Sequence, residues 1–255
     1  MSGREFNAGV EKMDGRSGAR ADFFIFGATS ELVRRLFADQ REWFQSISRR
    51  LILVQRCPEL SSEYQGFDCI IVRADAENPA VFRADLETIV RTHAASDRAQ
   101  HVLSTYGVFN TYGDLARLRF AFSDTGFQVN LNSRLQIIDA FADYRENTTF
   151  HVLGSLLGSF PYIGDYAASM WFVNQLPHHP AYSKHDLRIY NLGGLKTRFW
   201  DHAAGPRNNP FLHAEIPTAW LRRKMLGGQR GVFDCYPSVP ARVAISLARL
   251  GARLL

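Results

Sequence analysis

The run Phe23-Phe24-Ile25-Phe26-Gly27-Ala28-Thr29-Ser30-Glu31-Leu32-Val33 constrains this chain more than any other stretch. An apolar burst ends in a small-residue turn, and a helical pattern begins at Glu31. A buried strand that feeds a helix through so short a turn is the opening of a βαβ unit. Such a turn aims free N–H groups and the positive end of the helix dipole at the strand's tip, which suits a phosphate.

The same alternation continues along the chain, so the expected fold class is α/β, a doubly wound parallel sheet in a single domain. Strands are expected at Phe23–Phe26, Leu51–Gln55, Cys69–Arg73, His101–Ser104, Thr149–Gly154 and Asp186–Asn191. Helices are expected at Glu31–Phe44, Pro79–Ala94, Gly113–Phe141 and Tyr166–Leu176, and a terminal one over Ala241–Leu255. Pro79 fits a first helical turn, and Pro177 ends the helix before it. Residues 1–20 read as a frayed tail and 21–255 as the domain. After Thr197 the pattern loosens, with Pro206, Pro210 and Pro217, and the stretch around 198–235 reads as a substrate lid or a surface loop. The arginines Arg242, Arg249 and Arg253 leave the last helix open to a membrane surface, but a docked amphipathic helix is the better reading.

At 255 residues, 46% apolar and 22% charged, the chain can bury a sizeable core. The net charge of +5 suits an anionic ligand, while the short clusters Arg34-Arg35, Arg49-Arg50 and Arg222-Arg223-Lys224 read as solvated faces. No basic stripe argues for nucleic acid. Cys57, Cys69 and Cys235 are too scattered for a disulfide framework or a zinc site, and are expected to be reduced thiols of a cytoplasmic protein. No apolar run is long enough to span a membrane, and the N-terminus lacks a signal peptide's apolar segment. His178, His179 and His185 lie close in sequence, but Pro177 and Pro180 break their register, so an exposed loop is expected rather than a metal site. Trp171, Phe172 and Trp200 read as core or pocket wall.

Several short motifs then fall in one order. They are Gly27-Ala28-Thr29-Ser30, Ser104-Thr105-Tyr106-Gly107, Val129-Asn130-Leu131, Gly154-Ser155, Tyr166-Ala167-Ala168-Ser169-Met170 and Asn191-Leu192-Gly193-Gly194-Leu195-Lys196-Thr197. Together they resemble the short-chain dehydrogenase/reductase superfamily, from about residue 21 to 200, with its Rossmann-like fold. The resemblance implies hydride transfer between a nicotinamide cofactor and a carbonyl or alcohol. Tyr166 would be the proton donor, Ser155 the carbonyl's hydrogen-bond partner and Asn130 the holder of a relay water. Gly27, Thr29, Ser30, Asp75, Gly107, Gly193 and Thr197 would line the cofactor. It also implies a homo-oligomer, joined through the helices at Gly113–Phe141 and Tyr166–Leu176.

The motifs also depart from the pattern. The family's second and third glycines are Glu31 and Val33 here, and the spacing from Ser155 to Tyr166 is short. A carboxylate beside a pyrophosphate repels it. The family's lysine, which lowers the tyrosine's pKa and holds the nicotinamide ribose, is Met170. An uncharged side chain cannot do either, so a substitute cation is expected from elsewhere, with Lys184 and Lys196 as candidates. Each residue also has a plain reading. Tyr166 could cap a core, Ser155 could be a turn residue, Asn130 could pair with backbone, and Thr197 could cap a helix.

Strand two ends Leu53-Val54-Gln55-Arg56, without the acidic residue that would accept from a ribose 2′-hydroxyl. Arg56 could pair with a 2′-phosphate, so NADP is preferred to NAD. Asp75 could meet the adenine edge or simply cap the next helix. The leading expectation is an NADP-preferring carbonyl reductase or alcohol dehydrogenase acting on a small molecule. The alternative is a catalytically degenerate relative that binds a nucleotide or a partner without turnover. A nucleotide-sugar enzyme is a third reading that the family's breadth allows.

Overall fold

A computed structural model describes residues 20–107, 124–160, 164–195, 212–213 and 215–254. Seven parallel strands form one sheet in the order β3-β2-β1-β4-β5-β6-β9. The strands are β1 (Ala21–Phe26), β2 (Ser48–Gln55), β3 (Cys69–Arg73), β4 (Gln100–Ser104), β5 (Thr148–Ser155), β6 (Asp186–Leu192) and β9 (Gly231–Cys235). The short strands β7 (Gly194–Leu195) and β8 (Leu212–His213) pair with each other outside it.

β1 pairs with β2 on one side and with β4 on the other, so every one of its residues is buried. That is why it reads as a continuous apolar run and not as an alternation. Its side chains still alternate between the two faces. Phe23 and Ile25 pack with Val33, Leu36 and Phe37 of α1 (Glu31–Asp39), Phe44 of α2 (Arg41–Ile47), and Leu221 and Met225 of α7 (Thr218–Leu226). Phe24 and Phe26 pack with Phe82, Leu86 and Ile89 of α3 (Pro79–His93) and with Ile137 and Ile138 of α5 (Ser133–Ala140). α6 (Asp165–Gln175) covers the far end of this second face, where Met170 and Val173 meet Val152 and Ile189.

Several boundaries differ from expectation. The helix expected over Glu31–Phe44 breaks at Gln40 (φ −117°, ψ 27°), and its second half runs into β2 at Ser48 with no intervening loop. The break leaves Phe44 stacked on Phe37 at 3.9 Å and edge-on to Phe23 at 5.6 Å. The described part of the helix expected over Gly113–Phe141 is α4 (Asp124–Phe127), a π turn (Gln128–Asn132) and α5; its earlier part lies outside the described residues. The stretch taken as a lid contains α7 and ends in the seventh strand, so residues from Gly231 on belong to the sheet. β9 eluded the sequence reading because it is only half buried. Residues 1–19 of the expected tail and 198–211 and 214 of the lid lie outside the described residues.

Arg49 is exposed, as expected of a solvated face, but it and the half-buried Arg50 are both tied to one buried carboxylate. Asp22, fully buried in β1, accepts from Arg49 at 2.8 and 2.7 Å and from Arg50 at 3.2 Å. His185 is buried with its ring edge-on to Phe150, against the expectation of an exposed loop, whereas His178 and His179 are exposed. Trp171 and Phe172 stand 40% and 48% exposed and are not core; Trp200 lies outside the described residues. α8 (Val239–Leu254) docks through Ala241 and Ile245, and Arg249 ties it to Asp234 of β9 and to Ser159. Among the described residues no helix is long and apolar enough to cross a membrane, and no group of His, Cys, Asp or Glu could hold a metal.

Phe44 joins α2, α1 and β1 at once, so Phe44→Ala is expected to cost about 3–5 kcal/mol of stability. Urea denaturation followed by circular dichroism measures this. A loss under 1 kcal/mol would mean that the aromatic stack does not carry that face.

Candidate active site

The strand order reverses between β1 and β4, and the chain leaves these two neighbours toward opposite edges of the sheet. In open parallel sheets such a point leaves a crevice at the carboxyl ends of the strands, where ligands bind. A crevice of about 400 Å³ lies there, lined by Thr29, Ser30, Glu31 and Arg34 from the β1 turn and α1. Thr105, Tyr106 and Gly107 follow β4 in its wall, Gly154 and Ser155 close β5, and Gly193 to Leu195 follow β6. Tyr166 and Arg134 complete it from α6 and α5.

Gly27 is fixed by geometry. Its φ of +82° belongs to the left-handed region, and a Cβ there would stand 2.5 Å from the Thr105 hydroxyl oxygen. That hydroxyl donates to the Phe26 carbonyl at 2.9 Å, so the β1 and β4 ends are stitched together under the crevice. Ser30 N–H donates to the Gly27 carbonyl at 2.9 Å, which tightens the turn into α1. Val33, in the place of a family glycine, is fully buried in the core, and the Tyr64 hydroxyl donates to the Ala28 carbonyl at 2.6 Å beside it.

Tyr166 stands in the first turn of α6. A 3-10 turn (Leu156–Ser159) carries the chain from β5 toward that helix, and a Cβ on Gly158 would come within 3.0 Å of the Met170 backbone. Glycine there lets α6 pack close to the end of β5. Ser155 and Tyr166 thereby meet: the Ser155 hydroxyl hydrogen-bonds the phenol, and its oxygen accepts from Leu157 N–H at 3.2 Å. Burial pushes the Tyr166 pKa above the ordinary tyrosine value, opposed by the Arg134 charge and by the Ser155 hydrogen bond.

Arg134 is the residue that sequence reading missed. It is 2% exposed, yet its guanidinium reaches carbonyls on three separate segments. It donates to Asn130 in the π turn, to Tyr106 after β4, and to Leu153 of β5 at 2.9 Å. One nitrogen lies 4.0 Å from the Met170 sulfur. Burial pulls its pKa down to about 10, which leaves it a cation at neutral pH.

The other expected residues divide. Thr29, Ser30, Gly107, Ser155, Tyr166 and Gly193 share the crevice. Asn130 is fully buried beneath it in the π turn, a wide-turn feature that is frequent at functional sites. Asp75 accepts from Glu77 N–H at 3.1 Å, as a turn residue would, and does not line the crevice. Arg56 is exposed and paired with Glu77 at 2.8 Å. Lys184 is exposed just before β6, at the amino ends of the strands, so it cannot serve Tyr166. Thr197 and Lys196 lie outside the described residues.

Gly27→Ala should distort the turn by driving a Cβ into the Thr105 hydroxyl at a positive φ. The expected result is about 1–3 kcal/mol of lost stability, read from the thermal midpoint. An unchanged midpoint would show that the turn is not held as described.

No family model matches the chain, and no curated protein matches it. Solved structures do. The oxidoreductase yciK from E. coli superposes with a TM-score of 0.66 at 16% identity, over 85% of this chain and 95% of that one. A short-chain dehydrogenase from Sphingobium yanoikuyae in complex with NADPH gives 0.65 at 19% identity, over 91% and 95%. A short-chain dehydrogenase from Burkholderia cenocepacia J2315 in complex with NADP gives 0.64 at 17%, over 93% and 98%. The chain therefore has the Rossmann-like fold of these short-chain dehydrogenases over nearly their whole length.

Proposed function

We propose that this chain is an NADP-linked oxidoreductase of the short-chain type that reduces a carbonyl on a small molecule. The observation that carries the reading is the meeting of the Tyr166 phenol, the Ser155 hydroxyl and the Arg134 cation in one crevice at the strand reversal. The residues present fit a dinucleotide. Gly27 makes the tight turn that carries Thr29 and Ser30 into the crevice, α1 points its amino end at it, and Arg34 brings a cation to the same wall. Similar structures from Sphingobium yanoikuyae and Burkholderia cenocepacia hold NADPH and NADP. Thr29, Ser30, Gly107 and Gly193 would line the cofactor, with Thr197 beyond them.

The exposed pair of Arg56 with Glu77 is worth about 0–1 kcal/mol, so a 2′-phosphate can displace the carboxylate. No acidic residue closes β2, where Gln55 donates instead to the Cys57 and Glu59 carbonyls. Both points favour NADP over NAD.

NADPH, when bound, supplies the hydride. Tyr166 holds the proton at its phenol oxygen, and burial keeps that phenol protonated at neutral pH, the form an acid needs. Ser155, anchored by Leu157 N–H, turns its own proton toward the substrate oxygen or the phenol. Asn130 acts from beneath by setting the turn that holds Arg134. Oxidation of an alcohol needs the phenolate, so with a raised pKa that direction gains rate only as pH climbs into the alkaline range.

Titrating NADPH into the protein by fluorescence, then assaying a panel of aldehydes and ketones, tests the reading. Binding at micromolar to millimolar NADPH with measurable reduction is expected. Tyr166→Phe should keep the affinity while lowering kcat by about 10²–10⁴-fold. Absence of binding at millimolar cofactor would end the proposal. The repulsion of Glu31 for a pyrophosphate favours a second reading, a nucleotide binder without turnover; tight NADPH binding with no reduction across the panel would select it.

Self-association belongs to the same reading. Trp171 and Phe172 form an exposed aromatic pair on α6 with rings 5.0 Å apart. Analytical ultracentrifugation is expected to give a dimer or tetramer that Trp171→Glu shifts toward monomer. A wild-type monomer at tens of micromolar would refute it.

A further inference from the structure

We infer that Arg134 is a positioning residue that supplies the fixed positive charge opposite the Tyr166 phenolate, from α5, where Met170 leaves α6 without one. The inference rests on the oxidoreductase reading and adds to it the origin of the missing cation.

The first support is the guanidinium's set of partners. A buried charge costs several kcal/mol of lost hydration and is ordinarily matched by an opposite one. Arg134 has three carbonyls, and no carboxylate is among its partners. Among the described residues the group that pulls its charge the other way is the Tyr166 phenol in its ionised form. A buried cation whose counter-charge appears only when a neighbouring phenol loses its proton is arranged for that proton's transfer.

The second support is place. One guanidinium nitrogen sits 4.0 Å from the Met170 sulfur, the position where the family resemblance implies a lysine. Arg134 thus brings a cation to the site by a different route through the fold, carried by the helix next to α6. Toward the phenol, β5 contributes Ser155 and α5 contributes Arg134, and the Tyr166 side chain packs against the apolar cluster of Val152, Met170, Val173 and Ile189. Glu31 and Arg34 face the crevice from α1.

The third support is how the guanidinium is held. Its two Nη atoms bond carbonyls on three segments, so the charge is fixed in place beside the crevice rather than free to swing. Loss of that charge should move the phenol's titration.

The decisive experiment titrates the cofactor-free protein with alkali and follows tyrosinate absorbance, with Tyr166→Phe subtracted to isolate this phenol. Arg134→Gln removes the charge and keeps one NH2 group of donors; Arg134→Lys keeps the charge and loses the fork. The glutamine variant is expected to raise the phenol pKa by about 1–3 units, and the lysine variant to stay within about one unit of wild type. The alkaline limb of carbonyl reduction should move upward with it. A glutamine variant that titrates like wild type overturns the inference, as does a lysine variant that rises equally. If the glutamine variant does not fold, the paired exchange of Arg134→Met with Met170→Lys moves the charge to α6. A phenol within about one unit of wild type then supports the inference, and one that stays higher overturns it. Failure of NADPH to bind would defeat the proposed function alone, because the tyrosinate titration needs no cofactor.

Discussion

A guanidinium with almost no access to water holds this site together. Arg134 joins the loop after β4, the end of β5 and the π turn that leads into α5, and each contact is a carbonyl that would otherwise lack that donor. Remove it and three carbonyls lose a charge-assisted hydrogen bond, each worth about 1.5–3 kcal/mol in such settings. The wall of the crevice, the aim of α5 and the surroundings of Tyr166 are thus consequences of one side chain. Structural and chemical duties coincide here because the crevice lies where the strands diverge, and something must brace the gap.

The sheet explains why the brace is needed at that place. β1 has a parallel neighbour on each side, and the two neighbours lead their chains to opposite faces. The ladder between β1 and β4 ends at Phe26 and Ser104, with a last backbone bond from Thr105 N–H to the Phe26 carbonyl. The Thr105 hydroxyl donates to the same carbonyl at the floor, while Arg134 ties the segment after β4 to β5 at the wall. Glycine at position 27 follows from the first of these, since the Thr105 hydroxyl occupies the space a Cβ would take.

Much of this was legible in the sequence, for physical reasons. A strand buried on both faces reads as an apolar run, and β1 and the buried core of β2 are such strands. The motif order placed Ser155 and Tyr166 together because the tie between them is short in sequence and glycine lets it pack closely. β9 was hidden because an edge strand half covered by solvent has no such run. The break at Gln40 was hidden because both halves of the helix keep an apolar face and only the tight entry into β2 demands the bend. Lys184 was a reasonable guess by charge and wrong by topology, since the chain just before β6 lies at the opposite edge of the sheet from the crevice. Arg134 carries no sequence signal as a cation of the site. It lies 32 residues before Tyr166 in the chain, and only the packing of the π turn that leads into α5 against α6 makes them neighbours.

Met170 and Arg134 constrain each other. A lysine at 170 would bring an ammonium into the buried region beside the guanidinium, one nitrogen of which lies 4.0 Å from the Met170 sulfur. Two like charges about 4 Å apart repel by about 4 kcal/mol even at an effective dielectric constant near 20, a large share of the stability of an ordinary domain. The chain can therefore carry the charge on α5 or on α6, but not on both. Methionine at 170 follows from the arginine at 134: it is long enough to fill the space, unbranched enough to accommodate the guanidinium, and soft enough to lie against a cation. On the proposed reading, the methionine where the resemblance implies a lysine is then half of a paired arrangement. It does not by itself mark the site as inert, and the residue to examine for the site's acid-base character lies on the neighbouring helix.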